Sequence, residues 1–150
     1  GSMPARSRRS SSTACVLLGA DVALACPNGY GASAGELERL NLLGAGAVVD
    51  RRRPIDAVDG AIAVHTDTWT SMGQEAEKAE RERAFESYAV TAELMAHAAG
   101  GAGFYHCMPA YRGVEVSAEV MDGAHSHAIA QAHNRLHAAR AAIAFVMGER

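Results

Sequence analysis

The chain has 150 residues, 49% of them hydrophobic and 21% charged, with a formal net charge of −3. That is one domain's length with ordinary globular proportions, and the near-neutral balance excludes a basic footprint for nucleic acid or an anionic membrane surface. No apolar run approaches the roughly eighteen residues of a spanning helix, so a soluble, cytoplasmic protein without membrane or nucleic-acid partners is expected. Cys15, Cys26 and Cys107 are odd in number and lack metal-ligand spacing, which predicts reduced thiols, with neither a disulfide framework nor a metal site.

Residues 1–3, GSM, read as the remnant of an expression tag. Residues 4–13, PARSRRSSST, are polar, basic and low in complexity. A tag remnant and mobile basic tail are therefore expected over residues 1–20, with the folded domain at 21–150; a basic arm docking on a partner is the other reading of that tail. From there the pattern predicts strands at 21–27, 47–50, 61–65 and 103–107. Helices are predicted at 33–44, 54–60, about 78–86, 91–100 and about 126–147. Ser33 with Glu36, and Thr91, sit where helix N-caps belong, while Gly44 and Gly100 sit where helices end. In the last helix Ile129, Ala132, Leu136, Ala139, Ile143 and Val146 recur at three and four, a stripe expected to face the sheet. Strands alternating with helices predict an α/β fold, a parallel sheet with helices on both faces.

Three stretches carry chemistry. HTDTWTSMGQE, residues 65–75, follows the apolar strand AIAVH. Loops at the carboxyl ends of such strands are where open α/β sheets hold ligands. Asp67 can pair with an ammonium, and the Ser71-Met72-Gly73 turn can offer a hydroxyl and backbone N–H groups to a carboxylate, a combination that suits a zwitterionic amino acid. The plain alternative is an Asx turn. HCMPAYRG, residues 106–113, also follows a strand and puts Cys107 on the same rim; a lone cysteine is equally a core residue. NRLH, residues 134–137, places Arg135 in the final helix. Of seven histidines only His106 is near this chemistry, as a structural group or a proton carrier. The glycine-containing stretches at 44–47 and 100–103 have no phosphate-loop pattern.

Taken together, TDTWTSMGQE, HCMP with its following RG, VMDG at 120–123, Ser126 and NRLH resemble the ornithine carbamoyltransferases, specifically their C-terminal, ornithine-binding domain. The resemblance implies that domain's fold. It also implies roles: Asp67 for the α-amino group, and Ser71 and Met72 for the α-carboxylate. Cys107 would line the place where the side-chain amine meets the electrophile, helped by backbone carbonyls of its motif, and Arg135 would reach the electrophile's oxygen. Met108 stands in the amino-acid-binding motif where the family usually has leucine, and the residues near Gln131 and His133 lack the family's acidic character.

Family members also carry an N-terminal domain with an STRTR phosphate-binding loop and a His-Pro-Thr-Gln segment, and neither is in this sequence. The strand and paired asparagines that open the family's second domain are replaced by ARSRRSSST. The expectation is half an active site, completed by a second chain that binds phosphate or sulfate, with an ornithine-like diamino acid as substrate and no cofactor. Three functions fit. In one, the amine displaces sulfate or phosphate, including intramolecular closure of an aziridine as in azinomycin-type natural-product pathways. The second is ordinary carbamoyl transfer by a split enzyme, and the third a non-catalytic amino-acid-binding module.

Overall fold

The computed structural model describes residues 5–70 and 75–148. The elements run α1 (Ala5–Leu17), β1 (Val22–Ala25), α2 (Ala34–Asn41), β2 (Val48–Arg51), α3 (Pro54–Val58) and β3 (Ala63–Thr66). Then follow α4 (Lys78–Phe85), α5 (Ala92–Met95), β4 (Gly103–His106), α6 (Ala118–Met121) and α7 (Ala128–Val146), with short 3-10 turns flanking α4. The caps fall as the sequence predicts. Ser33 Oγ accepts from Glu36 N–H and Thr91 Oγ1 from Leu94 N–H, each at 3.2 Å, satisfying amides the first helical turn leaves unpaired.

Two expectations are corrected. Where a mobile tail was expected, the chain forms α1. Ser12 and Val16, four apart and so on one helical face, are both buried, and Val16 joins Leu40 and Val48 in a core that also takes Val22, Leu24 and Leu37. Gly44 and Gly46 make this possible, because a Cβ at Gly44 would collide with the Val16 and Leu17 backbone at the end of α1, and one at Gly46 with the Ala20 backbone just beyond it. The apolar stripe of α7 was expected to face the sheet. Only its start does so: Ala128 is fully buried against the β4 core, whereas Ile129, Leu136 and Ile143 are each about 60% exposed. Geometry explains it, since nineteen helical residues span about 28 Å and a four-residue strand only about 13 Å.

The strands are parallel, as an α/β fold requires, but they form two separate pairs. β1 pairs with β2 from Val22↔Val48 to Ala25↔Arg51, and β3 with β4 from Ala63↔Gly103 to Thr66↔His106. Each pair has its own core, the second built on Val58, Val64, Val90, Phe104, Val116, Val120 and Met121. The outer edges of both pairs are closed. Asn41 donates to Val48 O and accepts from Val48 N–H with its side-chain amide, at 3.0 and 2.7 Å. Beyond β4, Phe104 N–H donates to His125 O and His127 N–H to Phe104 O. Among the described residues no helix is long and apolar enough to cross a membrane.

Candidate functional site

Register builds the site. Thr66 and His106 are partners at the carboxyl ends of β3 and β4, so the next residues, Asp67 and Cys107, emerge side by side. Asp67 is only 4% exposed; its Oδ1 accepts from Thr68 N–H at 2.8 Å and from the Cys107 thiol at 2.9 Å. Arg135 reaches down from α7 and donates through Nη1 to the Cys107 carbonyl at 2.8 Å. A carboxylate, a thiol, a carbonyl and a guanidinium thus lie in one hydrogen-bonded line across the strand ends.

The loop after Asp67 is held by a group the sequence did not single out. Arg81, from α4, is fully buried, donates through Nε and Nη2 to Glu77 Oε2 at 3.0 and 2.8 Å, and reaches Trp69 O with Nη1 at 3.5 Å. Its guanidinium lies 5.4 Å from the Tyr30 ring centre, beside Trp69 and Phe85 stacked at 5.7 Å. Such a cation combines ion pairing with the attraction of an aromatic face. The only sequence signal was Glu77 four residues ahead, the ordinary spacing of a solvated helical pair.

Ser71 and Met72 lie outside the described residues. Met108 has φ +60°, is followed by a cis bond to Pro109, and packs its side chain partly buried against the β3–β4 core. Its N–H donates to His106 Nδ1 at 2.9 Å. His106 is fully buried, with Nε2 3.4 Å from the equally buried Glu115 Oε1. Because Nδ1 accepts, a neutral ring carries its proton on Nε2, facing that carboxylate. Glu115 Oε1 also accepts from Tyr111 N–H at 2.5 Å. The structure therefore sets His106 beneath the 107–111 loop as a brace and does not bring it to the rim with Cys107 and Arg135. Arg112 and Asp122 form a two-pronged pair at 2.8 and 2.6 Å, joining the RG and VMDG motifs. Each shifts the other: the carboxylate raises the guanidinium's pKa and is itself held below its usual value.

His65 lies beside the rim, its Nε2 3.2 Å from Gln131 Nε2 on α7. Although the side chain keeps an open face, surrounding protein lowers its imidazole pKa by desolvation, against the raising influence of Asp67 and with a lowering one from His106. No group of three or more potential metal ligands occurs among the described residues.

Together these define an α/β domain that presents a charged rim at the carboxyl ends of parallel strands. Residues 5–146 match the family described as aspartate/ornithine carbamoyltransferase, Asp/Orn binding domain, and the chain belongs to that family. It is 43% identical over 137 residues to an ornithine carbamoyltransferase of Prochlorococcus marinus, covering 88% of this chain and 42% of that one. Over 95 residues it is 55% identical to the Carboxydothermus hydrogenoformans enzyme, 63% of this chain and 30% of the other. Among solved structures, the ornithine carbamoyltransferase of Pyrococcus furiosus superposes with a TM-score of 0.86 at 40% identity, covering 95% of this chain and 46% of that one. The chain thus spans less than half the length of these relatives. The family match begins at residue 5 and so takes in α1.

Proposed function

We propose that this chain is the amino-acid-binding half of a carbamoyltransferase-type active site, taking ornithine or a close diamino acid at the Asp67–Cys107–Arg135 rim. The observation that carries the reading is the hydrogen-bonded line from Asp67 through Cys107 to Arg135. It sets Asp67 against the thiol of Cys107 and Arg135 against the same residue's carbonyl. Asp67 would hold the α-ammonium, Ser71 and Met72 the α-carboxylate, and the Cys107 carbonyl would orient the side-chain amine. Arg135 would turn to the electrophile's oxygen. In carbamoyl transfer the unprotonated amine attacks the carbamoyl carbon, a C–N bond forms and the amine loses a proton. The C–O bond then breaks and phosphate leaves with the electron pair. Holding the amine in line and stabilising the developing oxyanion supply most of the acceleration.

The anion-binding half comes, in this reading, from a second polypeptide. Supporting it, α7 carries exposed Ile129, Leu136, Ile143, Phe145 and Val146, an apolar surface that solvent alone covers poorly. The same rim would equally orient an amine that displaces sulfate or phosphate in an aziridine-forming ring closure. The test is co-expression with a chain bearing an STRTR-type loop, then assay with ornithine plus carbamoyl phosphate and with sulfated or phosphorylated diamino acids. Citrulline from the first pair supports carbamoyl transfer. A cyclised product from the second transfers the proposal to ring closure. A stable complex that binds ornithine and turns over neither leaves a binding module and sinks the enzymatic reading.

A further inference from the structure

We infer that Gln131 and His65 are positioning residues, whose hydrogen bond holds α7 where the Arg135 guanidinium meets the Cys107 carbonyl. Only the chemical role of Arg135 rests on the proposed function; the geometry of its placement is independent of any reaction. His127 at the head of α7, Gln131 and Arg135 are four residues apart, so they lie along one side of the helix. Each meets the β3–β4 pair in turn. The His127 ring stacks on Tyr105 with centres 5.2 Å apart, Gln131 Nε2 lies 3.2 Å from His65 Nε2, and Arg135 Nη1 donates to Cys107 O at 2.8 Å. His65 and Tyr105 are register partners, so the three contacts run from within the strand pair to its carboxyl end.

The middle contact matters because little else holds that stretch of helix. Gly103 lets the head of α7 come close, since a Cβ there would sit 2.7 Å from His127 Cδ2. Ala128 is buried in the β3–β4 core, but no hydrophobic residue of α7 beyond it packs against either core. From there on, the side-chain hydrogen bonds that α7 makes to the rest of the described chain are those of Gln131 and Arg135. Arg135 is ill suited to hold the helix by itself. Its side chain is exposed, and a long, solvated arginine gives up much rotamer freedom to keep one carbonyl. Gln131, one turn earlier and its neighbour on the helix surface, supplies the missing constraint.

The amide acts through its donor end. An amide nitrogen has no lone pair to offer, so Gln131 Nε2 donates to a His65 Nε2 that carries no proton, and the neutral imidazole keeps its proton on Nδ1. Desolvation lowers the His65 pKa and favours that neutral form, against the raising influence of Asp67 just beyond its strand and with a lowering one from His106 on β4. Gln131 Oε1, by contrast, is buried with no hydrogen-bond partner among the described residues. Buried polar atoms are ordinarily paired, and this orphan has a reason: turning the amide to satisfy it would release His65.

The test reads the Cys107 carbonyl carbon on the intact chain by triple-resonance NMR through the Met108 amide, because a guanidinium donating to that oxygen shifts the carbon. Arg135→Ala sets the full size of the change. Gln131→Ala and His65→Ala should each give more than half of it, and the double variant no more than the larger single one, as two residues acting through one contact must. His133→Ala, on the opposite side of the helix, should leave the carbon unmoved. Phe104 and His127 N–H, bonded across the head of α7, should stay protected from exchange in every variant. An unmoved carbon in Gln131→Ala, additive changes in the double variant, or loss of that protection overturns the inference. A second arm uses the complex with an STRTR-bearing chain. There Gln131→Ala should lower kcat by about tenfold or more with the ornithine KM nearly unchanged, since Asp67 is untouched. A raised KM at constant kcat overturns the positioning of Arg135 for reaction. A native complex without turnover sinks the proposed function alone, and the carbonyl shift still decides the positioning.

Discussion

The Cys107 thiol donates to Asp67 Oδ1 at 2.9 Å, so the carboxylate proposed to hold an amino acid's ammonium also fixes the side chain at the point of reaction. One oxygen serves the thiol and Thr68 N–H together, which ties the ends of β3 and β4 and positions the rim before any ligand arrives. Asp67→Asn tests the charge while keeping an oxygen to accept both bonds. Losing a charge-assisted contact in a closed site costs about 1.5–3 kcal/mol, a weakening of roughly ten- to hundredfold. Calorimetric titration of ornithine should show that loss with the fold retained, and the preference for ornithine over an Nα-acetylated analogue, which lacks the ammonium, should shrink with it. Unchanged ornithine affinity would make Asp67 a turn-forming residue and no more.

Cys107→Ser asks whether sulfur does chemistry. The thiol is engaged as a donor to Asp67, and the substrate amine already supplies a nucleophile. Serine is close in size and donates to Asp67 equally well, so the assembled enzyme should keep its fold and lose turnover only modestly, by about tenfold or less. Intact-mass spectrometry during turnover should find no adduct. A covalent species mapped to Cys107, with activity abolished in the serine variant, would reverse this assignment.

The rim was legible from sequence because its parts are local: each reactive residue follows a short apolar strand, and parallel register alone brings Asp67 and Cys107 together. The start of the domain was not. ARSRRSSST has the composition of a tail, and what makes it part of a helix is Val16 meeting Leu40 and Val48, residues far along the chain that no local window joins. Arg81 was hidden for a related reason. Within EKAERERAF it looks like one solvated charge among many, and only the folded arrangement of Trp69, Tyr30 and Phe85 buries it. The α7 stripe misled in the opposite sense, being apolar at helical spacing yet longer than the strands it was expected to cover.

His65 supplies a pH dependence. Its folded pKa lies below the unfolded 6.5 because desolvation outweighs the attraction of Asp67. The unfolded chain therefore binds more protons in the window just below 6.5, and stability rises with pH there. The contribution is complete above about pH 6.5 and is lost as pH falls through the folded value. Melting temperatures measured between pH 5 and 7.5 should decline on the acid side, and His65→Gln, which cannot titrate, should flatten that decline. An identical slope in the variant would assign it to other groups.

His106 and Glu115 form the most demanding pair in the structure, both fully buried 3.4 Å apart, with Glu115 also fixing Tyr111 N–H. Removing Glu115 leaves the Tyr111 N–H and the His106 ring without their buried acceptor, and each buried polar group stranded in this way costs about 1–3 kcal/mol. Glu115→Ala should approach that range in urea unfolding. Glu115→Gln keeps an acceptor for Tyr111 N–H and for the His106 ring proton, so it should lose far less, about 1 kcal/mol. The pair braces the loop whose first residue is Cys107, so the alanine variant should also weaken ornithine binding through displacement of that rim, while the glutamine variant binds nearly normally. A cost below about 1 kcal/mol for Glu115→Ala would mean that the loop is held by its backbone path alone and that His106 is free for another task.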